Sequence, residues 1–154
     1  MAFRPHGKYG HAFPILQVPL IEEFYAVSAT IDILAIGEPM VEFNEDRSGP
    51  EPVYRSGHGG DTSNTIISAA RQGARTAYFT HLGDDAFGRQ FLDLWDKEGV
   101  AHDAVKRIEG QRTGLYVVTH GPQGHEFSYY RAGSAASLVT PHDLPKGLVE
   151  SAHI

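Results

Sequence analysis

The sequence predicts an α/β fold in which a partial parallel sheet carries flanking helices. A nearly continuous apolar run at residues 31–36 is typical of a parallel strand that is buried on both faces. Residues 57–88 read as a helix, a strand and the start of a second helix, and two β-rich runs follow at residues 115–131. This order of elements predicts a layered α/β domain with additional β-structure.

Composition narrows the class of protein. The 154 residues fit one domain, and a hydrophobic content of 41% is enough to form a core. A net charge of −6 without a basic cluster argues against nucleic acid as a partner. The chain has no cysteine, which agrees with a cytoplasmic location, and it has no apolar run long enough to span a membrane. No membrane partner is expected.

Residues 1–30 are predicted to be a poorly ordered N-terminal extension, because they mix proline, glycine and aromatic residues without a periodic pattern. The alternative is a docking segment. Apolar residues such as Phe13, Leu16 and Ile21 would be costly to leave in water. Interruptions by proline and glutamate argue against a secretory signal.

The first strand is predicted to end at Gly37, and ligands of open α/β sheets gather beyond the carboxyl ends of strands. Glu38, Glu42 and Asn44 therefore lie at a plausible edge of a site. For Glu42, a solvated position in a loop is the favoured interpretation.

The string GHGGDTSN at residues 57–64 predicts a sharp turn followed directly by a helix. Thr62 or Ser63 is the expected N-terminal cap, and Gly73 is the expected left-handed C-terminal cap. A helix N-terminus favours anionic or hydroxylated ligands, although the same residues could serve only as turn and cap. The residues of this turn that could contact a ligand are Gly59, Gly60, Asp61 and Asn64.

A second helix is predicted after the string LGDD, where Phe87, Phe91, Leu94 and Trp95 recur at helical spacing. This apolar stripe is interpreted as core. The turn before it is expected to supply the helix cap.

GPQG at residues 121–124 predicts a β-hairpin between the two alternating runs. If His120 lies opposite His125, then Tyr116 lies opposite Tyr129 and shares one face with it and with Arg131. Phenol groups can stack on a sugar and bind its hydroxyls, and a guanidinium binds a carboxylate, so this face suits an acidic sugar. The alternative is an ordinary sheet with aromatic cross-strand pairs and a solvated arginine.

The histidines do not follow a metal-binding spacing, and no cysteine is present to complete a site, so no metal ligand is predicted. GxGxxG and GxxxxGK[ST] phosphate loops are also absent from the sequence.

Three strings occur in an order that resembles the N-terminal part of the PfkB, or ribokinase-like, carbohydrate kinases. These strings are GEPMVEFN, the segment from GHGGDTSN to LGDDAFG, and FSYYRAGSAAS, and they fall within residues 31–145. Within the family, 2-keto-3-deoxygluconate kinases are most similar. The resemblance implies a ribokinase-like fold in which residues 31–154 form the N-terminal part of the kinase domain and include a small β-sheet lid over the sugar.

The resemblance also implies the chemistry. The substrate would be 2-keto-3-deoxygluconate or a similar sugar, bound by Gly59, Gly60, Asp61, Asn64, Tyr116, Tyr129 and Arg131. ATP and Mg²⁺ would be the cofactors, with their site mostly outside this chain.

The family's catalytic base belongs to a GAGD-like string, which this sequence lacks. No catalytic, cofactor-binding or metal-binding residue is therefore expected here, and the chain is expected to be truncated and inactive alone. The alternative is a non-catalytic sugar-acid-binding or interaction module. An exposed sheet edge would favour a homo-oligomer.

Overall fold

The computed structural model describes residues 30–154. These residues form nine strands, three α-helices and two short 3₁₀ turns. In chain order the elements are β1 (Ile33–Ile36), β2 (Pro39–Asp46), β3 (Val53–Gly60), α1 (Ser63–Arg71), β4 (Thr76–Phe79), β5 (His81–Gly83), α2 (Ala86–Glu98), β6 (Val100–Ala101), β7 (Lys106–Ile108), β8 (Leu115–Gly121), β9 (Gly124–Tyr130), the 3₁₀ turns Ala136–Leu138 and Pro141–Asp143, and α3 (Lys146–Ser151).

The body of the molecule is built on a parallel three-stranded sheet with the order β1-β4-β6. Helices α1 and α2 pack against each other and against this sheet. Their apolar residues join the strands in one buried cluster, in which Trp95 of α2 stacks on Tyr78 of β4 with ring centroids 4.7 Å apart. The predicted α/β layer and the core stripe of α2 are confirmed: Phe91 and Trp95 are fully buried, and Phe87 and Leu94 pack against them.

A second sheet of four strands, here called the lid sheet, has the order β3-β2-β8-β9. Strand β2 forms an antiparallel pair with β3 and a parallel pair with β8. Strands β8 and β9 form an antiparallel hairpin. The predicted register of this hairpin is confirmed, since Tyr116 lies opposite Tyr129 and His120 opposite His125. A further two-stranded parallel sheet joins β5 to β7.

The structure corrects the expectation for the segment after Gly37. Residues 39–46 form strand β2 in the middle of the lid sheet and are not a loop. The chain thus passes from the body to the lid sheet at Gly37 and Glu38. Glu42 is a partly buried strand residue, so the interpretation of a solvated loop glutamate is wrong.

The helix caps agree with the sequence prediction at Gly73 and before α2, but not at Thr62. Thr62 is the N-cap residue of α1, but its side chain does not cap the helix. Its hydroxyl instead lies 2.9 Å from the Tyr78 hydroxyl, which ties the start of α1 to the body sheet. Gly73 has the expected positive φ, 93°, after the last turn of α1. Asp85 caps α2 by accepting a hydrogen bond of 2.7 Å from the Gly88 amide.

The predicted N-terminal extension lies, apart from Thr30, outside the described residues. Among residues 30–154, no helix has the length and apolar character needed to cross a membrane.

We expect Asp85→Ala to lower the free energy of unfolding by about 2–3 kcal/mol, measured by urea denaturation. Besides its cap bond, the Asp85 carboxylate accepts hydrogen bonds from the Thr113 amide at 2.8 Å and from the Thr113 hydroxyl at 2.9 Å. Thr113 is buried, so the substitution leaves its amide without a partner. Asp93→Ala, at an exposed position of the same helix, is the control and should change stability by less than about 0.5 kcal/mol.

The difference in free energy of unfolding between the wild type and Asp85→Ala should be smaller in acid. Burial raises the pKa of Asp85, but hydrogen bonds from Thr113 and Gly88 lower it more, so the pKa lies below its ordinary value of 3.8. A carboxyl group with a depressed pKa stabilises the folded state above its ordinary pKa and loses that effect as the pH falls. The stability difference should be full at pH 7 and shrink below about pH 3.8. A difference that stays constant down to the acid transition would contradict this role of the carboxylate.

Candidate functional site

A cavity of about 210 Å³ lies between the lid sheet and the start of α1. It brings together six of the seven predicted site residues, from the glycine turn and from the hairpin. The lining consists of Met40, Gly60, Asp61, Asn64, Tyr116, Phe127, Tyr129 and Arg131. Segments that are far apart in the sequence thus meet at one site.

The turn at Gly60 requires glycine. Its φ is +123°, and a Cβ at this position would lie 2.7 Å from the Pro39 Cα atom. The next amide, that of Asp61, donates a hydrogen bond of 3.0 Å to the Glu38 carbonyl. These contacts fix the turn against the connection between β1 and β2, and they place Asp61 and Asn64 on the cavity wall.

Gly59, the seventh predicted residue, lies behind the cavity wall. It is buried, and a Cβ there would press on the Tyr116 ring, 3.0 Å from Cε1. The structural role of Gly59 is therefore to leave room for Tyr116.

An aromatic wall closes the hairpin side of the cavity. The Tyr116 ring lies 5.7 Å from the Tyr129 ring and 6.1 Å from the Phe127 ring, measured between centroids. Phe127 and Tyr129 are more than half exposed, at 53% and 57%, whereas Tyr116 is buried. Open aromatic faces of this kind can stack on the apolar face of a ligand.

The hydroxyl of Tyr116 is held by Glu42. It donates a hydrogen bond of 2.5 Å to one carboxylate oxygen, and Asn44 donates a bond of 3.2 Å to the other. Burial and the neighbouring Glu42 carboxylate raise the pKa of Tyr116 above its ordinary range. The phenol therefore stays protonated at neutral pH, and its oxygen keeps a lone pair that can accept a hydrogen bond. Glu42 thus supports the site from behind.

Arg131 makes ion pairs with two carboxylates. Its Nε donates to Glu38 at 2.6 Å, and its two terminal nitrogens donate to Asp61 at 3.2 and 2.9 Å. Glu38 is only 4% exposed and also accepts a hydrogen bond of 2.6 Å from the Ser134 hydroxyl. Hydrogen bonds to Asp61 and the charge of Glu38 raise the pKa of Arg131 further. The alternative of a solvated arginine is therefore wrong.

A second cavity, of about 410 Å³, opens beyond the carboxyl ends of β1 and β4, where Ile36 and Phe79 end their strands. Asp61 and Arg131 line this cavity as well as the first one. Their ion pair thus lies between the two spaces. In open parallel sheets this edge is the usual position of a ligand.

Within residues 30–154, no group of three or more His, Asp or Glu side chains is arranged to hold a metal ion. His120 and His125 face each other at the hairpin, with ring centroids 4.7 Å apart.

Comparison with protein families gives one clear match. The family described as pfkB family carbohydrate kinase matches residues 30–154. Among curated relatives, 2-dehydro-3-deoxygluconokinase from Thermoproteus tenax is 36% identical over 130 residues, covering 80% of this chain and 40% of the relative. Fructokinase-2 from Solanum habrochaites is 35% identical over 127 residues, covering 79% of this chain and 39% of the relative.

Solved structures agree with this match. A PfkB protein from Polaromonas sp. JS666 superposes with a TM-score of 0.73 at 29% identity, covering 79% of this chain and 42% of that one. A fructokinase from Xylella fastidiosa superposes with a TM-score of 0.72 at 26% identity, covering 79% of this chain and 38% of that one. Another structure of a fructokinase from this organism contains bound ATP. The chain spans about two fifths of the length of these relatives.

We expect Gly59→Ala to lower the free energy of unfolding by about 1–3 kcal/mol, because the added methyl group overpacks the Tyr116 ring. Thermal and urea denaturation measure the effect. Gly147→Ala is the matched control, since a Cβ at Gly147 meets nothing within 4 Å and φ there is not positive. Equal stability of the two variants would contradict the packing of Gly59 against Tyr116.

Proposed function

We propose a function from the family to which the chain belongs, the pfkB family of carbohydrate kinases. In this proposal, residues 30–154 bind the sugar acceptor of an ATP-dependent sugar kinase. The observation that carries this proposal is the lining of one cavity by hydroxyl-binding, aromatic and cationic side chains. Asn64 can hydrogen-bond sugar hydroxyls, and Tyr116 and Tyr129 can stack on the ring or bind its hydroxyls. Phosphoryl transfer depends mainly on positioning and charge stabilisation, so holding the acceptor is a substantial part of catalysis.

The substrate that we propose is 2-keto-3-deoxygluconate, also called 2-dehydro-3-deoxygluconate, or a close relative. Its carboxylate distinguishes it from neutral sugars such as fructose. Arg131 supports this choice, because its guanidinium lines the cavity and is 40% exposed. A guanidinium binds a carboxylate through two parallel hydrogen bonds. Tyr129, two residues earlier in the chain, lines the cavity beside it.

ATP with Mg²⁺ is the phosphate donor that we propose for the whole enzyme, where it would supply the transferred phosphoryl group. The contacts to ATP and Mg²⁺ would come mostly from outside residues 30–154. The contribution of this chain is to bind and orient the acceptor.

A second candidate is a sugar-acid-binding module that does not catalyse phosphoryl transfer. The observation in its favour is that residues 30–154 by themselves supply the whole lining of the cavity. Both candidates require the same sugar site, and they differ only in whether the site works together with a nucleotide site.

We expect Arg131→Ala to weaken binding of 2-keto-3-deoxygluconate by about 10- to 100-fold and binding of fructose much less. The substitution removes a charge-assisted contact worth about 1.5–3 kcal/mol. Isothermal titration calorimetry, or ligand-observed NMR for weak binding, measures both sugars. Arg89→Ala, at an exposed position of α2, is the control for lost positive charge. Equal losses for both sugars, in a variant whose circular dichroism and thermal stability match the wild type, would count against an acidic substrate.

A coupled ADP-release assay tests whether this chain is sufficient for catalysis. With Mg-ATP and 2-keto-3-deoxygluconate we expect only background turnover from the purified 154-residue chain. Fusion to the C-terminal half of a family member should restore turnover. Sugar-dependent turnover of the chain alone that disappears in Arg131→Ala would show that these residues contain a catalytic base.

A further inference from the structure

The guanidinium of Arg131 has no free edge for a third carboxylate. A planar guanidinium binds a carboxylate along one of its edges, with two parallel N–H···O bonds. Its Nε is bonded to Glu38, and the edge formed by the two terminal nitrogens is bonded to both oxygens of Asp61. A carboxylated ligand that binds Arg131 through two parallel hydrogen bonds must therefore replace one of these two residues.

The two carboxylates differ in how easily they can be replaced. Glu38 is 4% exposed and is also held by the Ser134 hydroxyl, so its separation from Arg131 would leave a buried charge without its partner. The Asp61 side chain is 45% exposed. Ion pairs at such positions are weak, because water solvates the separated charges well. Asp61 is therefore the residue that can yield.

Charge also separates acidic from neutral ligands at this point. Arg131 contributes one positive charge, and Glu38 and Asp61 contribute two negative charges, so the cluster has a net negative charge. A neutral sugar can occupy the cavity without disturbing the cluster. A sugar acid is repelled by Asp61 until it takes the place of Asp61 on the guanidinium.

We infer that Asp61 is a specificity-determining residue that competes with the ligand carboxylate for the terminal nitrogens of Arg131. Asp61 is bonded to this edge of the guanidinium, and an acidic sugar binds by exchanging with it. The inference rests on the proposed binding of a sugar acid at Arg131. Its consequence is that Asp61 lowers the affinity for sugar acids and leaves the affinity for neutral sugars nearly unchanged.

Asp61→Asn tests this competition, because asparagine keeps the size and removes the negative charge. We expect the purified chain to bind 2-keto-3-deoxygluconate about fivefold more tightly after the substitution, the value of a weak exposed ion pair. Binding of fructose should change by less than about twofold. Calorimetric or NMR titrations of both sugars give the ratio, and far-UV circular dichroism checks the fold.

Asp84→Asn is a matched control. Asp84 is 44% exposed and pairs with Arg107, so the substitution removes the same charge from a similar exposed ion pair outside the two cavities. It should leave the ratio of the two affinities unchanged.

The outcomes separate the inference from the proposed function. If the wild-type chain does not bind the sugar acid, or if Arg131→Ala leaves binding of the acid unchanged, the inference and the proposed function are both overturned. If Arg131→Ala weakens binding of the acid and Asp61→Asn also weakens it, then Asp61 is a substrate contact and only the competition is wrong. If Asp61→Asn also tightens fructose binding, or if Asp84→Asn tightens binding of the acid, the effect comes from general electrostatics. Either result would overturn the competition.

Discussion

The buried carboxylate of Glu38 is the constraint on which the junction between the body and the lid sheet depends. One oxygen accepts a hydrogen bond from Ser134 and the other from Arg131, while the backbone carbonyl accepts one from Asp61. A Cβ on Gly114 would collide with the same carboxylate. Every segment that crosses between the two sheets therefore contacts Glu38. Because burying an uncompensated carboxylate is costly, Arg131 stabilises this junction and also lines the cavity.

Contacts within the fold hold the side chains that line the cavity. Arg131 is fixed by a structural ion pair, and Tyr116 is fixed by Glu42 and by its packing against Gly59. Preorganised side chains lose little conformational freedom when a ligand binds. Tyr129, by contrast, is open to solvent. The cavity thus combines fixed side chains with two exposed aromatic rings, those of Phe127 and Tyr129.

The parts of the fold that the sequence predicts correctly are those governed by local physical rules. The hairpin register follows from period-two alternation and a short turn, and the cap at Asp85 follows from its position before an apolar helical stripe. The family follows from three motifs in order, and the match over residues 30–154 confirms it, as the solved relatives confirm the ribokinase-like fold. The ion pair of Glu38 with Arg131 joins residues 93 positions apart, and no local pattern encodes such a contact. The same reason explains why the sequence does not predict the hydrogen bond of Tyr116 to Glu42, which lies 74 positions away.

Three other chain crossings contact Glu38, so a rotation of the lid sheet relative to the body would have its pivot near that residue. The hairpin strands are seven residues long, so the turn at Pro122 lies about 20 Å from the pivot at about 3.3 Å per residue. A rotation of about 10° would move the turn by 3–4 Å and Tyr129 by only about 1 Å, while Arg131 would hardly move. Any displacement of the hairpin relative to the body would therefore be smallest at Arg131 and largest at the turn.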